Sequence, residues 1–476
     1  MASTTAAARN DPTERTALLG GQTGGNNAQH TYHIPNLHPR PPPNLSLSPS
    51  PTRTRSSFSH SHITGPSSSS PPTSILNSYD YYSASPPRQD DLDHREHRVP
   101  GVVESLKNFI LSGWINVLLV AVPLSFISHF AHWGSTADFI ISFIAIVPLA
   151  SLLGDATEQC SLKLGQTVGG LLNATFGNAV ELIVGILALI RGELRIVQTS
   201  LLGSILSNLL LVLGCSFLAG GIKFKEQQFQ QTAAQASSSL MVLAVGTLVI
   251  PAAYHASKID GNTPDNGLGV LEQLGKSSDL DGLLKLSRGT AVILLLCYAS
   301  YLFFQLRSHA YLFEDSSEQE EEEAKMNIAT ACGALVVVTV ITSFCADYLV
   351  GAIDEFAQEY SIPKAFIGLI LLPIVGNAAE HVTSVWMAAK GKMELTIGVA
   401  VGSSIQIAVG LIPILVLVGW IIDKDLTLFF ENFETIVLFV SVLLVDILVS
   451  DGRSNYLEGL MLIALYIVIA LAFWVS

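Results

Sequence analysis

Two short strings place carboxylates where carboxylates are expensive. Gly177-Asn178-Ala179-Val180-Glu181 and Gly376-Asn377-Ala378-Ala379-Glu380 each sit inside a long apolar stretch. An ionisable side chain at membrane depth marks an ion pathway by default, and two matched ones suggest a two-sided cage. In each string Asn and Glu stand three residues apart and share a helix face, with a glycine four residues before the Glu. Asn178 and Glu181 can therefore point at one spot, as can Asn377 and Glu380. Gly177 and Gly376 remove side-chain bulk and let backbone approach. Pro373 and Gly368 weaken the hydrogen-bond ladder ahead of the second string, and a membrane tolerates the carbonyls so exposed only along a cavity. Carboxylate, amide and carbonyl oxygens together form a hard set that suits Ca²⁺, and less well Mn²⁺, far better than a soft metal.

A second matched segment follows each Glu: Gly203-Ser204-Ile205-Leu206-Ser207-Asn208 and Gly402-Ser403-Ser404-Ile405-Gln406. Ser204, Ser403 and Gln406 have oxygens that can complete a coordination shell, although small residues here also let helices pack closely. The corresponding alternative for Glu181 and Glu380 is an interhelical hydrogen bond from a protonated acid.

These residues need a membrane scaffold, and composition supplies one. Of 476 residues, 49% are hydrophobic and 13% charged, far from the average of soluble proteins. Residues 1–100 are rich in Ser, Pro, His, Asn and Thr and predict a disordered cytosolic tail with no cleavable signal ahead of it. Inside it, Glu14, Leu18 and Leu19 have the acidic dileucine form read by sorting adaptors, and Ser48, Ser50, Ser70 and Ser85 each precede proline. Eleven apolar segments of bilayer-spanning length follow, near 110–131, 137–154, 167–190, 196–219, 236–254, 289–306, 327–350, 364–389, 395–422, 433–450 and 457–475. An odd number puts the termini on opposite faces, and the tail argues for a cytosolic N-terminus and a lumenal C-terminus. Nothing in the chain suggests nucleic acid, a cofactor or an enzymatic reaction, and the oligomeric state is not written in it. Cys160, Cys215, Cys297, Cys332 and Cys345 share no CxxC spacing and read as small core residues rather than a disulfide framework or zinc site.

The chain also repeats itself. Glu380 lies 199 residues after Glu181, and the same offset carries Gly169 onto Gly368, Gly203 onto Gly402 and Ser204 onto Ser403. The fold class expected is therefore an all-α polytopic membrane protein: a first helix within 101–135, a five-helix repeat over 136–308, an acidic connector over 309–326 and a second repeat over 327–476. Five being odd, the second repeat enters the membrane from the opposite side, the inverted topology of secondary transporters.

At these strings the chain resembles the vacuolar cation/proton exchangers of the calcium/cation antiporter superfamily, fungal vacuolar calcium/proton exchangers above all. The likeness covers about 104–476 and rests on Gly165-Gln166-Thr167, Leu171 to Leu182, Gly203 to Asn208 and Gly376 to His381. It implies an eleven-span fold, residence in the vacuolar membrane, and exchange of lumenal protons for cytosolic Ca²⁺. Metal-site roles carry over to Glu181, Glu380, Asn178 and Asn377, with Ser204, Ser403 and Gln406 in support. His381 matches a histidine used for transport, although beside a helix kink it could equally serve packing.

Such residues make an exchanger for an electrostatic reason. Two facing carboxylates without a cation repel one another in a low dielectric and take up protons, whereas Ca²⁺ between them requires both ionised. The run Glu314 to Glu323, with Glu318, Glu320, Glu321, Glu322 and Glu323 at its core, reads either as a solvated linker or as a regulatory, cation-concentrating element. Leu271, Leu274, Leu280, Leu283 and Leu284 suggest a short amphipathic helix within 255–288. Rival functions are exchange of Mn²⁺ or of Na⁺ against Ca²⁺, and, from other classes, a Ca²⁺ channel or an intramembrane metalloenzyme. The last fails on spacing, because Glu380-His381 has no second histidine one turn away.

Overall fold

The computed structural model describes residues 101–111, 113–259, 277–312 and 326–475. The dileucine string, the Ser-Pro sites and the acidic run lie outside them. The chain divides into units Met1–Pro86 and Pro87–Ser476, and all described residues belong to the second.

That unit is a helical assembly. An amphipathic helix α1 (Val102–Ile110) meets a 3₁₀ segment, Trp114–Val120, that runs into α2 (Ala121–Phe130). Then come α3 (Ser135–Leu164), α4 (Gln166–Phe176), α5 (Ala179–Arg191) and α6 (Leu194–Lys223). Next are α7 (Gln231–Ile259), α8 (Ser277–Phe303) and α9 (Ile328–Glu359). The rest are α10 (Lys364–Gly376), α11 (Ala378–Ala389), α12 (Met393–Ile421), α13 (Asn432–Val449) and α14 (Tyr456–Val475). Among the described residues eight helices are long and apolar enough to cross a membrane, and up to eleven spans result if three bent pairs each count as one. Each apolar segment read from the sequence overlaps one of these.

Local chemistry sets the ends. Asn327 caps α9 by accepting from the Ala329 amide at 3.2 Å. Glu431 and Glu434 form a reciprocal capping box at the start of α13. Gly192, at φ 82°, closes α5 in the left-handed conformation. The long helices α3 and α9 pack antiparallel along their lengths, α14 lies on α6, and α13 on α7.

Two features differ from the sequence reading. Leu280, Leu283 and Leu284 belong to the single long helix α8 rather than to a separate amphipathic one, because the turns they occupy run on without a break into the apolar segment; Leu271 and Leu274 lie outside the described residues. A two-residue antiparallel pairing, Gln227–Gln228 (β1) with Arg453–Ser454 (β2), ties the segment after α6 to the turn before α14. No periodicity announces pairing between positions so far apart.

Candidate functional site

Both motifs fall at bends. The α4/α5 pair turns by 48° and the α10/α11 pair by 57°. Asn178 (φ −107°, ψ 31°) and Asn377 (φ −87°, ψ 12°) leave helical geometry at the breaks. Each bend creates a fresh helix N-terminus in mid-molecule, and Glu181 and Glu380 lie in the first turns of α5 and α11. Those turns have unsatisfied N–H groups and the positive end of the helix dipole, which favour negative charge. Gly376, which opens the string ending at Glu380, lies directly against the Glu181 carboxylate.

The two halves hold each other's asparagines. The Ser403 hydroxyl donates to Asn178 Oδ1 at 2.8 Å, and Asn178 Nδ2 donates to Gln406 Oε1 at 2.7 Å. In the other direction Asn377 Nδ2 donates to the Ser204 carbonyl at 3.1 Å. Asn208 Nδ2 donates to Ser403 Oγ at 3.0 Å. Both motif asparagines are buried. Three buried oxygens nearby have no hydrogen-bond partner: Glu380 Oε2, Asn377 Oδ1 and Asn208 Oδ1. Buried acceptors are rarely left so, and together they form a hard-oxygen set suited to a cation.

Glu181 lines a cavity of about 20 Å³ together with Ser200, Ser204, Pro373 and Gly376. That volume is of the order of a single water site. A Cβ at Gly376 would stand 2.6 Å from Glu181 Oε1, so glycine is what admits the carboxylate there. Among the described residues no three His, Cys, Asp or Glu side chains gather as a metal cluster, so a cation held here would draw on amide, hydroxyl or carbonyl oxygens beside the carboxylates.

Of the sequence candidates, Glu181, Glu380, Asn178, Asn377, Gly376, Ser204, Ser403 and Gln406 come together. Gly177 is exposed at the α4/α5 bend, and half-buried His381 is not among the residues lining the cavity. Asn208 and Ser200 went unselected. Asn208 was detectable: it is an amide one helical turn beyond Ser204, hence on the same face. Ser207 and Gln406, matched by the 199-residue offset, each begin a π turn, over Ser207–Val212 and Gln406–Leu411. Such turns are rare and favour functional sites.

The helices leading into the two bends are packed differently. Helix α10 lies against α6: a Cβ at Gly203 would strike the Leu369 carbonyl and come within 2.6 Å of Pro373 Cγ, and one at Gly368 would strike Thr199. Helix α4 instead rests on the end of α3, where a Cβ at Gly169 would strike the Ser161 carbonyl. Gly398 and Gly402, the counterparts of Thr199 and Gly203 by the same offset, have nothing within 4 Å of a built Cβ. Ion pairs gather at the end of the molecule where α10 begins. Arg191 pairs with Asp347 at 2.7 Å, Arg195 with Glu431 at 3.0 Å and with buried Glu434, and Lys364 with Glu193 at 3.7 Å and with Asp354.

Apolar helices bent around one oxygen-lined centre define a membrane ion transporter. The sodium/calcium exchanger protein family matches residues 134–307 and 330–475, and the chain belongs to that family. It is 48% identical over 400 residues to a vacuolar calcium ion transporter of Schizosaccharomyces pombe, covering 83% of this chain and 93% of that one. It is 45% identical to vacuolar cation/proton exchanger 2 of Oryza sativa subsp. japonica, covering 78% and 84%. The solved structure of the Ca²⁺/H⁺ antiporter protein YfkE superposes with a TM-score of 0.62 at 33% identity, covering 78% of this chain and all of that one.

Proposed function

We propose that this protein is a secondary active antiporter that moves cytosolic Ca²⁺ into the vacuole in exchange for lumenal H⁺. The observation that carries the reading is the convergence of Glu181 and Glu380, at two matched helix starts, on a centre with three unpartnered buried oxygens. Ca²⁺ is the cargo, held by the two carboxylates with oxygens of Asn377 and Asn208. Asn178, Ser403, Gln406 and Ser204 keep the cage in register through the hydrogen bonds between the halves. A proton on each carboxylate cancels the charge that attracts Ca²⁺, so the same oxygens hold one cargo or the other, and that exclusion is the coupling. His381, on the helix immediately after Glu380, relays protons to or from the cage.

In this reading the chain crosses the membrane eleven times, as one span and two inverted five-span repeats, with a cytosolic N-terminus and a lumenal C-terminus. The α4 side of the site then faces the cytosol and the ion-paired end faces the lumen. The acidic run around Glu320 concentrates cations at the cytosolic mouth, and Glu14, Leu18 and Leu19 address the protein through a sorting adaptor.

Sealed vesicles containing the purified protein, given an imposed proton gradient, test the reading. Ca²⁺ uptake should rise with the gradient and collapse when an ionophore removes it. Uptake that ignores protons and follows Na⁺ would overturn it, and preference for Mn²⁺ at equal concentration would replace the cargo.

A further inference from the structure

The antiparallel helices α3 and α9 meet at both ends, through different chemistry. At one end Thr136 Oγ1 donates to Glu359 at 2.5 Å and Ser135 donates to Glu355. At the other, Cys160 Sγ lies 3.5 Å from Cys332 Sγ, though the two are 172 residues apart in sequence. Cys160 is buried and Cys332 exposed. A disulfide bond is about 2.05 Å long, so the two sulfurs need to close by only about 1.5 Å. The next residue, Ser161, supplies the backbone on which Gly169 of α4 rests. The thiol pair therefore sits at the seat of the half-helix that leads into the first motif.

We propose that Cys160 and Cys332 are a redox modification site, a dithiol that a hydroperoxide converts to a reversible disulfide and that slows exchange when oxidised. Exposed Cys332 reacts first: its thiolate attacks a peroxide oxygen, the O–O bond breaks, and the departing hydroxide takes the thiol's proton to become water, leaving a sulfenic acid. Cys160 Sγ then attacks the Cys332 sulfur, the S–O bond breaks, and the hydroxide released takes the Cys160 proton as a second water. Two thiols lose two electrons and one hydrogen peroxide becomes two waters. A dithiol reductant reverses the bond by exchange. The new bond pins the last turns of α3 to α9 and fixes the seat that α4 must leave or remould during transport.

The linkage stands apart from the transport reading, while its effect on rate rests on that reading; the experiment scores them separately. The full-length protein in vesicles is treated with hydrogen peroxide, its free thiols are capped with maleimide, and peptides are mapped by mass. The expected product is a peptide pair joining residues 160 and 332, lighter by two hydrogens than the reduced pair and dissolved by dithiothreitol. Cys160→Ser and Cys332→Ser should each abolish it. Proton-driven Ca²⁺ uptake of the wild type should fall several-fold on oxidation and recover on reduction, and uptake by both variants should ignore the treatment. No linkage, or a Cys332 sulfenic acid that persists until trapped by dimedone, would overturn the site. Full linkage with undiminished uptake in protein that transports normally when reduced would overturn its control of α4.

Discussion

Gly376 and Gly177 hold the same place in the two motifs, yet only Gly376 touches the opposite half. A side chain there would run into the Glu181 carboxylate, whereas at Gly177 it would meet only its own helix, at the Asn173 carbonyl. Gly203 is wedged under α10 while Gly402 stands clear, and Gly368 sits on α6 while Gly169 sits on α3. Matched sequences thus occupy unmatched surroundings. The molecule is closed over one half of its site and open over the other, and the ion pairs of Arg191, Arg195 and Lys364 lie at the closed end. Alternating access, which the proposed exchange requires, would have α4 take up in the opposite state, against Gly398 and Gly402, the place that α10 now holds against Thr199 and Gly203.

The most damaging test removes the charges common to both states. Glu181→Gln and Glu380→Gln should each abolish proton-driven Ca²⁺ uptake without unfolding the protein, since an amide keeps the shape and loses both the cation match and the proton site. Near-normal uptake by either variant would end the paired-carboxylate account.

The two motif glycines give the next largest difference. Gly376→Ala presses on the Glu181 carboxylate, and its uptake rate should fall at least about tenfold further than that of Gly177→Ala, the equivalent of about 1.4 kcal/mol in the barrier. Equal losses would mean that the crowding at Gly376 has no functional weight.

Gly203→Ala and Gly402→Ala should push the two-state balance in opposite directions. The first overpacks the closed contact, at a cost of about 1–3 kcal/mol; the second fits this state and obstructs the other. With a cysteine at exposed Asn173 in a background lacking native cysteines, labelling by an impermeant maleimide should slow in the first variant and persist or quicken in the second. The same sign for both would break the comparison.

Smallest of all should be Lys364→Met, which unties α10 from Glu193 and Asp354. The pairs are partly exposed, and pairs near the surface contribute about 0–1 kcal/mol, so a shift of at most a few-fold in Asn173→Cys labelling is expected.

Spacing alone made the centre legible: Asn and Glu three apart, a glycine four before, and a 199-residue offset that pairs Ser204 with Ser403. Those are statements about helix faces, and helix faces survive translation into three dimensions. Legibility failed where matched residues sit in different packing. Nothing in Gly203 or Gly402 says which is covered, because the 199-residue offset matches residue types and not the surfaces packed on them. It failed too for Cys160 with Cys332 and for Gln227 with Ser454, whose closeness comes from how distant helices assemble. Gln406 was read as an oxygen ligand, and in the structure its Oε1 accepts from Asn178 Nδ2.

The π turns at Ser207 and Gln406 set the register of everything that follows them in their helices. A turn closed over five residues instead of four contains one surplus residue, so everything beyond it is rotated by about a quarter-turn relative to a regular helix. Excising a single residue within Leu209–Val212 would restore an unbroken α-helix and swing the remainder of α6, with its contact to α14, out of phase with Asn208. Both halves have a surplus at the same register. Shortening one half alone would leave two halves that no longer mesh.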